Sequence, residues 1–316
     1  MTMHRFWKVN AIQCLLLGQA LRGVEVRSLV HPLGSDRHWQ IWTELVFISI
    51  CHQANWYALH ERIIEIARKD IEIIQPRNLL SLTPKEFRIV FGPGLDEQRL
   101  RATERVRILR ELAQSLPNWP AEGERLWLNH PQVKISGDHG IMPWLNGLSV
   151  FASDPLQKKS RVLIHQLLRY GLIDVIDPEN VRPAVDYHIM RLYVRTGRVI
   201  PVTEDAFERV RQEEVARVEF LTHLRKAVEE GMWHSSIGSG LRMDHLNHVE
   251  WQIARSICVR SGARCTEGPI PEKPLDDTLA AVAGPQGGCP LTASCQGYRD
   301  AALRSIVDPK SVRPYY

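Results

Sequence analysis

Apolar residues along this chain recur at three- and four-residue intervals in one segment after another, the pattern of amphipathic helices. "HWQIWTELVFISICHQANWYALHERIIEIARKD" keeps that spacing from Trp42 to Ile66 and predicts two helices with a break near His52–Asn55. "LTPKEFRIVFG" predicts a helix with Thr83 as N-cap, Pro84 in the first helical position and Gly92 at its end. "DEQRLRATERVRILRELAQSL" reads as one long amphipathic helix closed by Pro117, its arginines forming a solvated or a phosphate-facing side. Further helices are predicted in "SDPLQKKSRVLIHQLLRYGL", with Ser153 or Asp154 as N-cap, and in "DHLNHVEWQIARSIC". "TEDAFERVRQEEVARVEFLTHLRKAVEEG" predicts one charged helix or a pair. "NHPQVKISGDHGIMPWLNG" is rich in Gly, Pro and Asn and predicts a loop. No strand run and no internal repeat stands out, so the expectation is an all-α fold.

Composition narrows the class without naming a function. A chain of 316 residues can form two domains or one large one, with a sizeable core. Hydrophobic residues at 44% and charged residues at 24% are globular values. The net charge of +4 suits a polyanionic partner without demanding one. Nine tryptophans supply planes for a core or for stacking on bases. No apolar run is long enough to cross a bilayer, so no membrane partner is expected. "AIQCLLLGQAL", behind Arg5 and Lys8, imitates a signal peptide, but two glutamines interrupt it and no small-residue cleavage site follows. The expected setting is cytoplasmic.

Two stretches carry candidate chemistry. Of six cysteines, Cys14 and Cys51 sit alone in apolar helical surroundings and read as core residues. Cys258, Cys265, Cys289 and Cys295 crowd the end of the chain as C-x6-C-x23-C-x5-C. Four soft thiolates suit an iron–sulfur cluster; structural zinc and free thiols are the alternatives, although zinc pairs come more often as C-x2-C or C-x4-C. Arg255, Arg260 and Arg264 flank the first pair and offer positive charge to an anionic cluster or to phosphate. The second stretch is "AVDYHIMRLYVRTG", where Asp186 and His188 stand at the mouth of an apolar helix. Asp186 is either a plain N-cap or a catalytic carboxylate, and the two roles are compatible.

Together these blocks resemble the helix-hairpin-helix base-excision DNA glycosylases, closest to the endonuclease III branch. "ELVFISICHQANW" is similar to that family's "LLSAQATD" helix-turn and places Gln53 on the glutamine that reaches into the duplex beside the extruded base. "AVDYHIMRLYVRTG" is similar to "AVDTHIFRVCNRT" and places Asp186 on the catalytic aspartate and His188 on its companion histidine. "DHLNHVEWQIARSICVRSGARC" with "CPLTASC" resembles the family's cysteine-rich ending; the outer spacings agree, while the middle x2 is x23 here. Where the family has a glycine hairpin like "LPGVGRKTA", this chain has "SDPLQKKSRV" without glycine. Lys159 lies there, in place of the hairpin lysine that some members use as an imine-forming nucleophile.

The resemblance implies a two-lobed helical fold with a cleft: one lobe from residues 41–185, the other from 1–40 with 186–316, carrying a 4Fe-4S cluster in a loop over 258–295. It implies an N-glycosylase acting on a damaged or modified base in DNA by a monofunctional, hydrolytic route, working as a monomer. Asp186 would stabilise an oxocarbenium-like transition state and activate water, with Lys159 and His188 as further catalytic candidates. Gln53, Asn55, Trp56 and Tyr57 at the helix break, and His139 and Trp144 in the Gly-rich loop, are the candidate substrate-binding residues. Each also has a structural alternative in turn chemistry or core packing. A weaker resemblance, through "DPLQKKSRVLIHQLL" followed by "AVDYH", is to queuosine-salvage nucleotide glycosidases; it implies a free modified nucleotide as substrate. A non-catalytic nucleic-acid-binding protein is the third possibility.

Overall fold

Helix signals in the sequence translate closely into helices in the computed structural model, which describes residues 3–34, 36–124, 132–154, 157–211, 215–216, 218–272, 288–308 and 310–311. The described chain is mostly helical and divides into two units. One comprises the residues up to Arg27 together with those from Arg182 onward; the other is Ser28–Val181. The sequence placed these divisions at 41 and 185.

In the Ser28–Val181 unit the organising element is the helix Arg37–Ile50, capped by the Asp36 carboxylate on the His38 and Trp39 N–H groups. It is buried without interruption from Gln40 to Ile50. A helix apolar on all sides needs neighbours on all sides. Those neighbours are Trp56–Lys69, Ala102–Ser115 and Lys158–Arg169. The one ionisable side chain deep in this helix is Glu44, whose Oε1 accepts from Nε2 of His31 (3.2 Å) and Nε2 of His60 (2.7 Å). His31 Nδ1 in turn accepts from Leu33 N–H, which fixes the ring proton on Nε2 when the ring is neutral.

Burial by itself would raise the Glu44 carboxyl, but the bonds from His31 and His60 outweigh it and hold Glu44 below its ordinary 4.5. A depressed carboxyl contributes stability that is present above its unfolded value and is lost as pH falls through the folded value. Urea unfolding followed downward from pH 4.5 is expected to show this loss. Glu44→Gln is expected to flatten it; an unchanged acid slope in that variant would contradict the assignment.

Predicted boundaries hold where capping chemistry sets them. The helix Pro84–Phe91 begins with a complete capping box between Thr83 and Glu86 and ends at Gly92. The break between Arg37–Ile50 and Trp56–Lys69 covers residues 51–55, with Asn55 as N-cap of the second helix. Two boundaries differ. The predicted long helix from Asp96 is interrupted: Glu97–Leu100 and Ala102–Ser115 are separated by Arg101 in the left-handed region (φ 46°). The helix predicted to begin after Ser153 or Asp154 starts at Lys158, with Gln157 left-handed before it; residues 155–156 lie outside the described residues.

In the other unit a short antiparallel sheet, Met3–His4, Trp7–Val9 and Val199–Pro201, pairs Trp7 with Pro201 and Val9 with Val199. Strands of two and three residues carry no legible alternation, which is why the pattern predicts none. The stretch that imitates a signal peptide is the helix Ala11–Gln19, with Cys14 and Leu17 fully buried. It crosses the long helix Val218–Ser239 at two glycines. A Cβ on Gly18 would lie 2.3 Å from Ser235 O, and one on Gly238 would lie 2.4 Å from Leu15 O. No larger residue permits that approach. "TEDAFERVRQ…" resolves into the pair Glu204–Arg211 and Val218–Ser239. Among the described residues no helix is long and apolar enough to cross a membrane.

Candidate active site and cysteine cavity

Asp186 ends an extended connector and caps the helix Tyr187–Arg195. Its Oδ1 accepts from Ile189 N–H at 2.9 Å, and its Oδ2 accepts from the Trp251 indole N–H at 3.1 Å. Both oxygens are thus held by N–H donors, and the residue is only 7% exposed. The helix dipole and these donors favour the anion over the acid. Trp251 stands on the helix Met243–Ser256, which packs along Tyr187–Arg195. The same helix fixes the connector, because Asn247 Oδ1 accepts from Ala184 N–H at 2.6 Å.

His188 lies 4.2 Å, ring centre to ring centre, from Tyr187 and 6.4 Å from Trp251. Its Nδ1 faces the Arg191 guanidinium at 3.1 Å. Arginine can only donate, so Nδ1 is an acceptor and the neutral ring carries its proton on Nε2. Arg191 also donates to Cys258 O (2.9 Å) and Ala254 O (2.6 Å) and pairs with Asp308. Arg195, one turn later, donates to Ile306 O (2.6 Å) and Val259 O (2.8 Å), with its Nη1 at 3.6 Å from Cys258 Sγ. Neither arginine is solvated: Arg191 is fully buried and Arg195 is 2% exposed. Burial lowers Arg191 to about 10, so it remains charged at neutral pH. The two arginines bind the cysteine loop to the helix that Asp186 begins.

The four late cysteines line one cavity together with Leu192, Arg195, Thr196, Ile257 and Leu291. Cys258, Cys289 and Cys295 belong to the same apolar cluster as Leu17, Leu192, Leu246 and Ile253. Burial raises the Cys265, Cys289 and Cys295 thiols, and their mutual repulsion adds to it. Four sulfurs, three of them buried, fit a cationic or iron–sulfur centre in chemistry, since bound metal offsets the cost of the thiolates. They do not form a closed ligand set: among the described residues no group of three or more His, Cys, Asp or Glu is positioned around a metal ion. Residues 273–287 of the loop lie outside the described residues. Of the flanking arginines, Arg255 sits 5.1 Å over the Trp251 ring, Arg260 is 3.9 Å from Asp308, and Arg264 is 3.4 Å from Glu267.

The remaining predicted residues belong to the Ser28–Val181 unit. Gln53 is exposed and left-handed (φ 53°), and its Oε1 accepts from Arg101 Nη1 at 2.7 Å. Both partners of that bond hold an αL backbone that costs a non-glycine residue free energy. Buried Arg105 ties their two turns together, donating to Ile50 O, His52 O, Arg99 O and Leu100 O. Asn55 is exposed as an N-cap, Trp56 packs edge-on to Phe47 at 4.5 Å, and Tyr57 is 46% exposed. Lys159 is half-buried and donates from Nζ to Ser49 O at 2.9 Å. Burial pulls its pKa below the ordinary lysine value. His52, half-buried beside Lys159 and Arg105, is lowered by desolvation and by those cations to about 3 and is neutral at physiological pH.

His139 is exposed and Trp144 half-buried. The loop predicted over this stretch is corrected in part: His139 lies in a turn, but Trp144 stands in the short helix Ile141–Asn146. The turn before that helix is tied down by Asp177, whose carboxylate accepts from Ile135 N–H (2.7 Å), Ser136 N–H (3.1 Å) and Ser136 Oγ (2.9 Å). Trp251, Asn247, Arg105 and Asp177 carry no mark in the sequence. Each acts on a partner 40 or more residues away, so no local spacing announces it.

Compared with models of known protein families and with curated proteins, the sequence gives no match.

Proposed function

We propose that the protein is an N-glycosylase that hydrolyses the bond between a damaged or modified base and its sugar in DNA. The observation that carries this reading is the Asp186 carboxylate of the "AVDYH" stretch, both of whose oxygens are held by N–H donors, from Ile189 and Trp251. Cleaving an N-glycosidic bond builds positive charge on the sugar. A fixed carboxylate lowers the energy of that cation more than that of the neutral ground state, which is what raises the rate. The same group can orient or deprotonate the attacking water. Lys159 supports a hydrolytic route: an ammonium donating to Ser49 O is not a free nucleophile. Gln53, Asn55, Trp56, Tyr57, His139 and Trp144 are the proposed base-side contacts. The working form in this reading is a cytoplasmic monomer with DNA as its partner.

Cys258, Cys265, Cys289 and Cys295 are the proposed ligands of a 4Fe-4S cluster that is structural and electrostatic in role. When bound, such a cluster would cross-link the loop that Arg191 and Arg195 attach to the Asp186 helix. Protein purified without oxygen is expected to be brown, with iron and sulfide present, and Cys289→Ser to lose the colour. Colourless, iron-free protein prepared that way contradicts the cluster.

The absent hairpin glycines favour one second reading, a glycosidase of free modified nucleotides. Incubation with modified-base oligonucleotides and with the matching nucleotides, followed by mass spectrometry of free base, separates the two. Release from oligonucleotides with affinity that falls steeply with salt is the expected result. Release from nucleotides alone, with little salt effect, supports the alternative.

A further inference from the structure

We infer that Trp251 is a positioning residue for the Asp186 carboxylate, an assignment that rests on the glycosylase reading of Asp186. As N-cap, Asp186 commits Oδ1 to Ile189 N–H, which fixes one oxygen but leaves the carboxylate plane free to turn about that bond. The Trp251 indole N–H on Oδ2, at 3.1 Å, removes this freedom. An indole is a donor only, so it binds the anion and offers nothing to a protonated carboxyl's O–H.

Trp251 is itself fixed from two sides. The Arg255 guanidinium lies 5.1 Å over its ring, one turn along the same helix, and His188 meets the ring edge-to-face at 6.4 Å. The helix that carries it is bonded to the neighbouring connector and helix at Asn247–Ala184, Glu250–Tyr193 and Ala254–Arg191. A rigid aromatic donor on a multiply bonded helix is the kind of support that keeps a reacting group within a few tenths of an ångström of its working position. Arg191, Arg255, His188 and Tyr187 are among the charged or titratable groups around the pair.

Trp251→Phe keeps an aromatic ring beneath Arg255 and removes the N–H donor, at the cost of a smaller side chain. With the parent releasing base and Asp186→Asn inactive, Trp251→Phe is expected to lower kcat about tenfold or more and to leave KM within about twofold, the signature of a contact that matters in the transition state. A kcat equal to the parent's, or a loss confined to KM, overturns the proposal. An activity-independent measurement separates this from a failure of the glycosylase reading. The indole 15N–1H signal missing from Trp251→Phe spectra identifies Trp251 among the nine tryptophans. That signal is expected to move upfield in Asp186→Asn, where the side chain has one acceptor oxygen and cannot serve both Ile189 N–H and the indole as the carboxylate does. No movement shows that the indole does not hold the carboxylate, and it overturns the positioning role whatever the protein's activity. If the signal moves but Asp186→Asn still releases base, the pairing stands as structure, and both the catalytic reading and the positioning role built on it fall.

Discussion

Asp186→Asn is expected to stop base release, by about a thousandfold or more, while still folding. Asparagine is as good an N-cap as aspartate, so Oδ1 can still accept from Ile189 N–H and the helix Tyr187–Arg195 keeps its start, whereas the amide nitrogen that replaces Oδ2 cannot accept from the Trp251 N–H. What disappears is the negative charge beside the developing cation. A preorganised charge of that kind commonly supplies several kcal/mol of transition-state stabilisation, with about 1.4 kcal/mol for each tenfold in rate. Asp186→Ala removes the cap as well and is expected to lose about 0.5–2 kcal/mol of stability in addition. The pair of variants therefore separates the two roles that the sequence leaves superimposed. Thermal melts with single-turnover assays read both; equal activity in parent and Asp186→Asn would leave Asp186 as a cap alone.

Glu250→Ala is expected to be the most damaging single change to stability, by about 3–5 kcal/mol. Glu250 and Arg198 are both fully buried and paired, with Tyr193 donating from its hydroxyl to the second Glu250 oxygen at 2.7 Å. The Arg198 guanidinium lies 3.6 Å from the Tyr193 ring centre. Burial alone would lower the arginine's pKa, but Glu250 reverses it and raises Arg198 above its ordinary value. Truncating Glu250 leaves a buried guanidinium without its counter-charge, and that desolvation penalty, rather than the lost attraction, makes the change severe. Replacing both residues by apolar side chains of similar volume is expected to recover much of the loss. Urea unfolding of the two single variants and the double variant measures this; additive losses in the double variant would contradict the pair as a unit.

Helix existence and several boundaries were legible because the signals are local: Thr83-Pro84 before Pro84–Phe91, the polar turn at residues 51–55, Asp186 before an apolar stripe. The interruption at Arg101 was not, since neither glycine nor proline marks it and the partner of its side chain, Gln53, lies 48 positions away. Arg105 was misjudged for a related reason. Charge at helical spacing reads as a solvated or phosphate-facing side, yet Arg105 is buried because backbone carbonyls from two turns converge on it; Arg191 and Arg195 are buried in the same way. In the candidate site, Asp186, His188 and the four cysteines could be nominated from types and spacing. The indole that holds Asp186 could not, because Trp251 is 65 positions further on in a helix that reads as ordinary packing.

The most direct test of the account is a single-turnover reaction of the parent protein with duplex DNA carrying one modified base, scored at once for free base and for strand integrity. A hydrolytic N-glycosylase built on Asp186 releases free base and leaves the abasic strand uncut. Free base with a cleaved strand would contradict the hydrolytic route, and no free base from any modified duplex would contradict the account itself.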